Sequence, residues 1–491
     1  MYNENKSVSI LTHILGFTND NSRKLCYGLG LSLTFYILFP SINDIFWKTI
    51  KNKGENKPNR RLDRTTSGLI NNANDCYANS SIQALVSLDT LTEYLNSILK
   101  DVTDGSKDLE LIRTKYPLHL TLAELISKLE TPTLNTQSFS VQPIKQTLEY
   151  IFKTRISREQ HDAQEFTQVI LDCLKDEYNM SNVSNETIKF PLQGQTGTQL
   201  VCLRCHETSE LKLQDFSLYE VVAPQKYSTT LNDLFSQDQT DVVSDYKCLC
   251  CMMKMIITNE NHLELRRRDD QSIGYTYIKE HYGSLFINSD IPEEIWNYIK
   301  MYNKNGCVPY SSGSDIFKRS VIVESPDILA IHISRSMFNG VSTTRNACRV
   351  SFEEEFTIPE QYIKDNKCIS IKDVKYKLKS MVKHTGTHYQ GHYQCYRHKP
   401  TFKMDTELEK MVNLSPTVKL PIIGPKINEL SDNGFTSIQE GTTTKKRYKK
   451  IKSVNTKSFW KISDASIQEV NLNSVLSETK YVYMLYYEKT K

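Results

Sequence analysis

The chain has 491 residues, 61 Lys+Arg against 57 Asp+Glu, a hydrophobic fraction of 39% and a charged fraction of 24%. That is the make-up of a soluble globular protein long enough for more than one lobe, and a net charge of +4 on this length gives no ground for nucleic-acid binding. The 12 cysteines are dispersed except for two clusters near 202 and 248, which fits a reducing compartment with metal or catalytic thiols better than a secreted disulfide framework.

Residues 1–24 read as an N-terminal tail, and the stretch 25–43, "LCYGLGLSLTFYILFPSIN", carries no charge. As a helix it spans roughly 28 Å, near the hydrocarbon thickness of a bilayer. Arg23 and Lys24 precede it, whereas Lys48, Lys51, Lys53, Lys57, Arg60, Arg61 and Arg64 follow it. The heavier positive flank on the C-terminal side keeps the rest of the chain in the cytosol. A transmembrane anchor at 25–47 is therefore expected, with a buried amphipathic or core helix as the alternative. A cleaved signal peptide fits poorly, because the preceding region is long and no A-x-A-like site follows. Residues 48–66, basic and poor in large apolar side chains, read as a linker.

From 67 to about 180 the signals are helical. In "NDCYANSSIQALVSL" Asp75 precedes Cys76, and Ala78, Ile82 and Leu85 recur at helical spacing. Asp75 reads as an N-cap, and a thiol in the first turn sits at the positive end of the helix dipole. Taken alone, the stretch reads more readily as a small buried thiol inside a capped helix than as a nucleophile. "SREQHDAQEFTQVILDCLKDE", 157–177, places Ala163, Phe166, Val169, Ile170, Cys173 and Leu174 on one stripe, with Ser157 as the N-cap. Short β-like runs follow over 188–258, and 326–338 ("PDILAIHISRSMF") reads as a buried strand. "KYKLKSMVKH", "HYQCYRH" and "KYVYMLYYE" are further strand candidates. Residues 259–320, with a short helix at "PEEIWNYIKMY", and 401–457, with the basic run "TTTKKRYKKIK" as a solvated loop, look inserted.

Two motifs bear on chemistry. "CLRC" (Cys202, Cys205) and "CLCC" (Cys248, Cys251) are two C-x-x-C knuckles, enough for four thiolates around one tetrahedral zinc, with Cys250 as a competing ligand. A closed four-thiolate site leaves no open position, so this zinc is expected to be structural. "TGTHYQGHYQCY" spaces His384, His388 and His392 four apart, and Asp464 follows Trp460 closely. Thiol hydrolysis needs a thiolate, an imidazole and a group that orients the imidazole, but none of these residues is decisive alone.

Together the motifs resemble the ubiquitin-specific proteases. The family's Cys box, approximately GLxNxGNTCYxNSxLQ, stands here as "GLINNANDCYANSSIQ", residues 68–83, and its QQDAQEF motif as "EQHDAQEF", residues 159–166. The knuckles, the strand "PDILAIHISRS", the His box around "GHY" at 391–393, and the terminal Trp460–Asp464 and "YVYMLYY" follow in family order. The resemblance covers roughly residues 67–488. It implies an α+β fold, a papain-like cysteine protease with thumb, palm and zinc-bearing fingers, preceded here by the anchor helix. The catalytic domain would run from 67 to 489.

The resemblance also implies roles. Cys76 is the nucleophile, His392 the general base and Asp464 the residue that orients it. Asn71 donates to the oxyanion, with the Cys76 backbone N–H. Asp162 meets an arginine of the ubiquitin tail, Glu165 adds to that acidic site on a shared helix face, and Gln160 and Tyr393 line the substrate cleft. His384 and His388 are cleft or structural residues. The expected partners are ubiquitin and ubiquitinated proteins, with a membrane through the anchor; the expected cofactor is one structural zinc and none for catalysis. The layout is similar to membrane-anchored members, which points to the mitochondrial outer membrane, with endoplasmic reticulum as the alternative.

Some positions depart from the family pattern. Ala73 replaces a glycine, Asp75 replaces a threonine and brings a charge beside Cys76, Ala465 stands where many members have a second acid, and Ser336 replaces a phenylalanine. Lower intrinsic activity than a consensus member is the expectation. The competing reading is a catalytically silent ubiquitin-binding scaffold of the same fold, against which the filled Cys, His and Asp positions argue. A zinc-ribbon nucleic-acid binder would leave the Cys and His boxes unexplained.

Overall fold

The strand Ile328–Ser334 ("ILAIHIS") is apolar along nearly its whole length and buried on both faces. Ile328 and Ala330 enter one core, and Leu329, Ile331 and Ile333 enter another, as the two-residue period of a strand requires. Its antiparallel neighbour Val482–Lys489 behaves alike: Met484 and Tyr486 face the first core, Leu485 and Tyr487 the second. This pair separates the two cores. The computed structural model describes residues 64–490 apart from 106–112, 134–135, 158, 181–188, 239, 265–272, 339, 388–389, 406–410, 421–447 and 451–455. The expected tail and anchor, nearly all of the linker, and His388 lie outside the described residues. Among the described residues no helix is long and apolar enough to cross a membrane.

The architecture is α+β. Among the described residues a twelve-stranded sheet runs Ser466–Val470, Phe459–Ser463, Gly391–His398, Lys367–Gly386, Glu355–Lys364, Ser314–Glu324, Gly194–Cys202 and Lys212–Phe216. Val482–Lys489 branches from Lys367–Gly386 and carries Ile328–Ser334, which pairs in parallel with Tyr219–Val222, and Thr240–Tyr246 pairs with Ser314–Glu324. The first core is covered by the helices Cys76–Leu85, Asp89–Gly105, Pro117–Glu130, Gln142–Phe152 and Ala163–Met180.

Three local expectations are corrected. The helix expected to start after Ser157 begins at Ala163, because Asp162 is its cap: Asp162 Oδ1 accepts from the Gln164 N–H at 2.6 Å, while the Ser157 hydroxyl is engaged with His161. The β-like reading of 188–258 ends too late, since Leu249–Glu264 is a helix. Its Leu249, Met252, Met253 and Ile256 recur at helical spacing and bury against Tyr275, Ile278, Ile295 and Ile299 of the helices Ile273–His281 and Glu293–Met301. The expected 259–320 insertion is thus largely a small helical subdomain with its own core, and the expected short helix is Glu293–Met301. Finally, Tyr448–Lys450, within the basic run expected to be a loop, pairs as a strand with Phe402–Asp405.

Candidate active site

The segment that delivers Cys76 is docked before its helix begins. Gly68–Leu69 pairs in parallel with Ser138–Phe139, and the Leu69 N–H donates to the Asp464 carbonyl at 3.1 Å. A Cβ at Gly68 would lie 2.7 Å from Ala465 Cα and 2.8 Å from the Asp464 oxygen. Only glycine allows that approach. The turn then passes through Ala73 at φ 109°, the left-handed region in which the family pattern has a glycine. The helix Cys76–Leu85 follows, every residue of it buried, and packs across the strand Gly391–His398. Ser81 Oγ donates to the Ala163 carbonyl at 3.1 Å, which ties it also to the Ala163–Met180 helix.

Asp75 does not cap this helix through its side chain. Its carboxylate is buried and paired with Lys145 at 2.9 Å, and its backbone N–H donates to Asn71 Oδ1 at 3.0 Å. The capping expectation fails because a buried carboxylate gains more from an ammonium than from one amide.

The Cys76 thiol faces three elements. Burial raises its pKa, the Tyr393 N–H lowers it, the charge of Asp464 raises it, and the Tyr77 N–H and Gln160 lower it; the net direction is up. Gln160 Nε2 stands 3.7 Å from Cys76 Sγ. The same side chain clamps the residue before His392: its Nε2 donates to the Gly391 carbonyl, and its Oε1 accepts from the Gly391 N–H at 3.2 Å. The thiol therefore lies against the strand that carries His392, beside the N–H of the next residue.

His392 is bonded through Nε2 to Ser463 Oγ at 2.8 Å. Ser463 also accepts from Gln394 Nε2 at 3.1 Å. Asp464, expected to hold this ring, faces elsewhere: Oδ2 accepts from Asn71 Nδ2 at 3.1 Å and Oδ1 from Asn79 Nδ2 at 2.8 Å. The reason is strand geometry. Ser463 ends the strand Phe459–Ser463, so the next side chain leaves on the opposite side, and Asp464 turns the chain at φ 52°. Asp464 thus orients Asn71, the expected oxyanion donor, rather than the imidazole. Sequence reasoning missed Ser463 and Asn79; both were legible in principle, the first from the alternation of its strand and the second as an amide one turn beyond Cys76.

Beside the thiol, Asp162 accepts from Tyr393 Oη at 3.2 Å and from Tyr483 Oη at 2.5 Å. Its carboxylate precedes the helix, and Glu165 lies exposed in the first turn with its N–H 3.4 Å from Asp162 Oδ1. Tyr393 stacks on His384 at 4.2 Å between ring centres, and Arg345 Nη1 reaches His384 Nδ1 at 3.4 Å. His384 is thus a buried ring packed between Tyr393 and Arg345.

Comparison with known proteins decides the family. The ubiquitin carboxyl-terminal hydrolase family profile matches residues 67–413. The chain is 33% identical to ubiquitin carboxyl-terminal hydrolase 16 of Saccharomyces cerevisiae over 95% of this chain and 96% of that protein. The chain belongs to the ubiquitin carboxyl-terminal hydrolase family. A second relative, ubiquitin carboxyl-terminal hydrolase 16 of Emericella nidulans, is 26% identical over 76% of this chain and 67% of its own. A chain from the SAGA DUB module bound to ubiquitin aldehyde shares the fold with a TM-score of 0.51 at 15% identity, covering 93% of this chain and 76% of that one.

In this ubiquitin carboxyl-terminal hydrolase the two knuckles converge. The sulfurs of Cys202, Cys205, Cys248 and Cys251 all lie within 4.8 Å of one another. Cys202–Cys251 is 3.5 Å and Cys205–Cys248 is 3.7 Å, close to the ~3.8 Å edge of a tetrahedron with Zn–S bonds of about 2.3 Å. Four thiols and no carboxylate fit zinc. Cys250 is excluded from the set, since its Sγ turns to the Leu285 carbonyl at 3.5 Å.

Proposed function

We infer that the chain is a cysteine-type deubiquitinase that hydrolyses isopeptide or peptide bonds at the C-terminal glycine of ubiquitin through a thioester on Cys76. Family membership over the greater part of the chain carries this reading, and the meeting of Cys76 with the His392 strand supports it. His392, held through Nε2 by Ser463, uses Nδ1 to take the thiol proton. The thiolate attacks the glycine carbonyl, and the oxyanion is met by Asn71 Nδ2 and the Cys76 N–H, each such donor being worth roughly 2.7–4 kcal/mol. Asp464 and Asn79 keep Asn71 in place. The amine leaves with the proton returned by His392, and a water activated by the same ring hydrolyses the thioester. Asp162, preset by two tyrosine hydroxyls, receives an arginine of the ubiquitin tail, with Gln160, Glu165 and Tyr393 lining the path.

A zinc on Cys202, Cys205, Cys248 and Cys251 would cross-link the end of the Gly194–Cys202 strand to the start of the helical subdomain. It has no part in the chemistry. Residues 25–47 tether the catalytic domain to a membrane with the enzyme on the cytosolic side; the uncharged stretch and its basic C-terminal flank support this. The mitochondrial outer membrane is the address that such an anchor suits, and the endoplasmic reticulum is the alternative. Carbonate extraction of residues 1–66 fused to a reporter tests the tether, which a diffuse soluble signal would remove.

The deciding experiment compares the native chain with Cys76→Ala on a ubiquitin C-terminal fluorogenic substrate. Turnover that disappears in the variant is expected. Ubiquitin binding without turnover in the native chain would favour the scaffold reading instead.

A further inference from the structure

His392 follows a turn that is glycine at both ends, Gly386 and Gly391, which pair with each other across the two strands. A Cβ on Gly391 would lie 2.1 Å from His384 Nε2, so the His384 ring rests on the backbone of the residue before His392. That ring is buried and stacks on Tyr393 with 13° between the planes. Its other nitrogen is met from the Thr343–Arg345 strand, 39 residues earlier in the chain: Arg345 Nη1 reaches His384 Nδ1 at 3.4 Å and donates to the Gly386 carbonyl at 3.3 Å. One guanidinium thus touches both the ring and the start of the turn. Arginine only donates, so Nδ1 accepts and the ring proton sits on Nε2, the nitrogen against Gly391. Gln160 holds the N–H and the carbonyl of the same glycine.

We propose that Arg345 is a positioning residue of the reaction: it seats the His384 ring against Gly391 and so fixes where the next residue, His392, presents its imidazole. The inference rests on His392 being the general base. Glycine has more backbone freedom than any other residue, so a turn with one at each end needs outside support to hold the following side chain still. Gln160 supplies two hydrogen bonds to Gly391, and the ring closes a further side of it. Without Arg345 the ring can turn about its own axis or slide along Tyr393, and the seat loosens. Such looseness matters, because misplacing a reacting group by about 1 Å can cost on the order of a hundredfold in rate.

The test uses the full chain. On a ubiquitin C-terminal fluorogenic substrate, Arg345→Met should lower kcat on the order of tenfold while KM stays within about twofold. The double variant Arg345→Met/His384→Ala should be no more than about threefold slower than His384→Ala, because the arginine acts through the ring. A native kcat in Arg345→Met, a raised KM at native kcat, or losses that multiply in the double variant overturns the proposal. If Arg345→Met does not fold, Arg345→Lys takes its place with the same split expected, since a point charge cannot reproduce the planar fork. Side-chain spectra of the chain with isotope-labelled histidine give a readout without substrate. His384, assigned through His384→Ala, should be the Nε2–H tautomer, and the His392 signals should move in the Arg345 variant. An Nδ1–H tautomer at His384, or unmoved His392 signals, overturns the proposal whether or not the chain turns over ubiquitin. Absent turnover of the native chain sinks the functional reading instead, so the two failures are separable.

Discussion

His392 Nε2 lies 2.8 Å from Ser463 Oγ, and the carboxylate of the next residue, Asp464, is taken by the amides of Asn71 and Asn79. A hydroxyl therefore orients the imidazole, and the carboxylate orients Asn71, the proposed oxyanion donor. A neutral hydrogen bond contributes about 0.5–1.5 kcal/mol, so Ser463→Ala should lower kcat on a ubiquitin fluorogenic substrate roughly tenfold with KM little changed. A kcat equal to the native value would remove Ser463 from the reaction.

Asp464→Asn should separate two effects. The charge of Asp464 raises the pKa of the Cys76 thiol, so its removal should speed alkylation of Cys76 near neutral pH. The same change costs an acceptor for two asparagine amides, which frees Asn71 and lowers kcat. Faster alkylation with slower turnover is the expected pair of results. If Asp464 instead served the imidazole alone, alkylation and turnover would fall together.

Ala73 at φ 109° holds the turn before Cys76 in backbone that favours glycine. Such a conformation costs on the order of 1–3 kcal/mol in a non-glycine residue, of which glycine returns about 0.5–1 kcal/mol as unfolded-state entropy. Ala73→Gly should therefore raise the denaturation midpoint by an amount equivalent to about 1 kcal/mol, without lowering turnover. A lower midpoint would show that the turn is not strained.

These residues also mark what was legible in the sequence. Local motifs were: the Cys76 helix, the four knuckle cysteines and the His392 strand are where spacing puts them. The buried strands were legible because two-sided burial leaves continuous apolar runs such as "ILAIHIS". Partnerships between residues far apart in the chain were not. Asp75 is a plausible cap by its place in the chain, and only the arrival of Lys145, 70 residues on, makes it an ion-paired group. Ser463 and Asp464 are neighbours, so motif position could not say which faces His392; the direction of one strand decides. The helix Leu249–Glu264 was hidden because its apolar face is covered by two later helices.

The four-sulfur cluster predicts an unequal response among neighbouring cysteines. Cys202→Ser should abolish tight zinc binding, measured by elemental analysis of the purified chain, and lower thermal stability. Cys250→Ser should retain stoichiometric zinc, since its Sγ points to the Leu285 carbonyl. Chelation should lower the stability of the native chain by several kcal/mol, given apparent structural-zinc energies on the order of 10–16 kcal/mol in small fingers. Equal zinc loss in both variants would show the ligand set is wrong.

Glu130 gives the fold a pH dependence away from the cleft. Burial raises its carboxyl pKa from the usual 4.5 to about 7, against the lowering effect of the Val418 N–H and the Thr92 hydroxyl. Those bonds are 3.0 Å and 2.9 Å. A folded-state pKa above the unfolded one means that the stabilising protonated form is fully present below about 4.5 and is lost as pH rises through about 7. The native chain should therefore lose stability between pH 5 and 8 relative to Glu130→Gln, which stays neutral across that window. His398, whose pKa burial and the charge of Lys379 lower from 6.5 to about 4, makes stability rise with pH up to about 6.5, equally in both proteins, so it cancels from their difference. Melting temperatures of the two proteins should converge near pH 5 and separate by pH 8, with Glu130→Gln the higher; parallel curves would show that Glu130 does not titrate there.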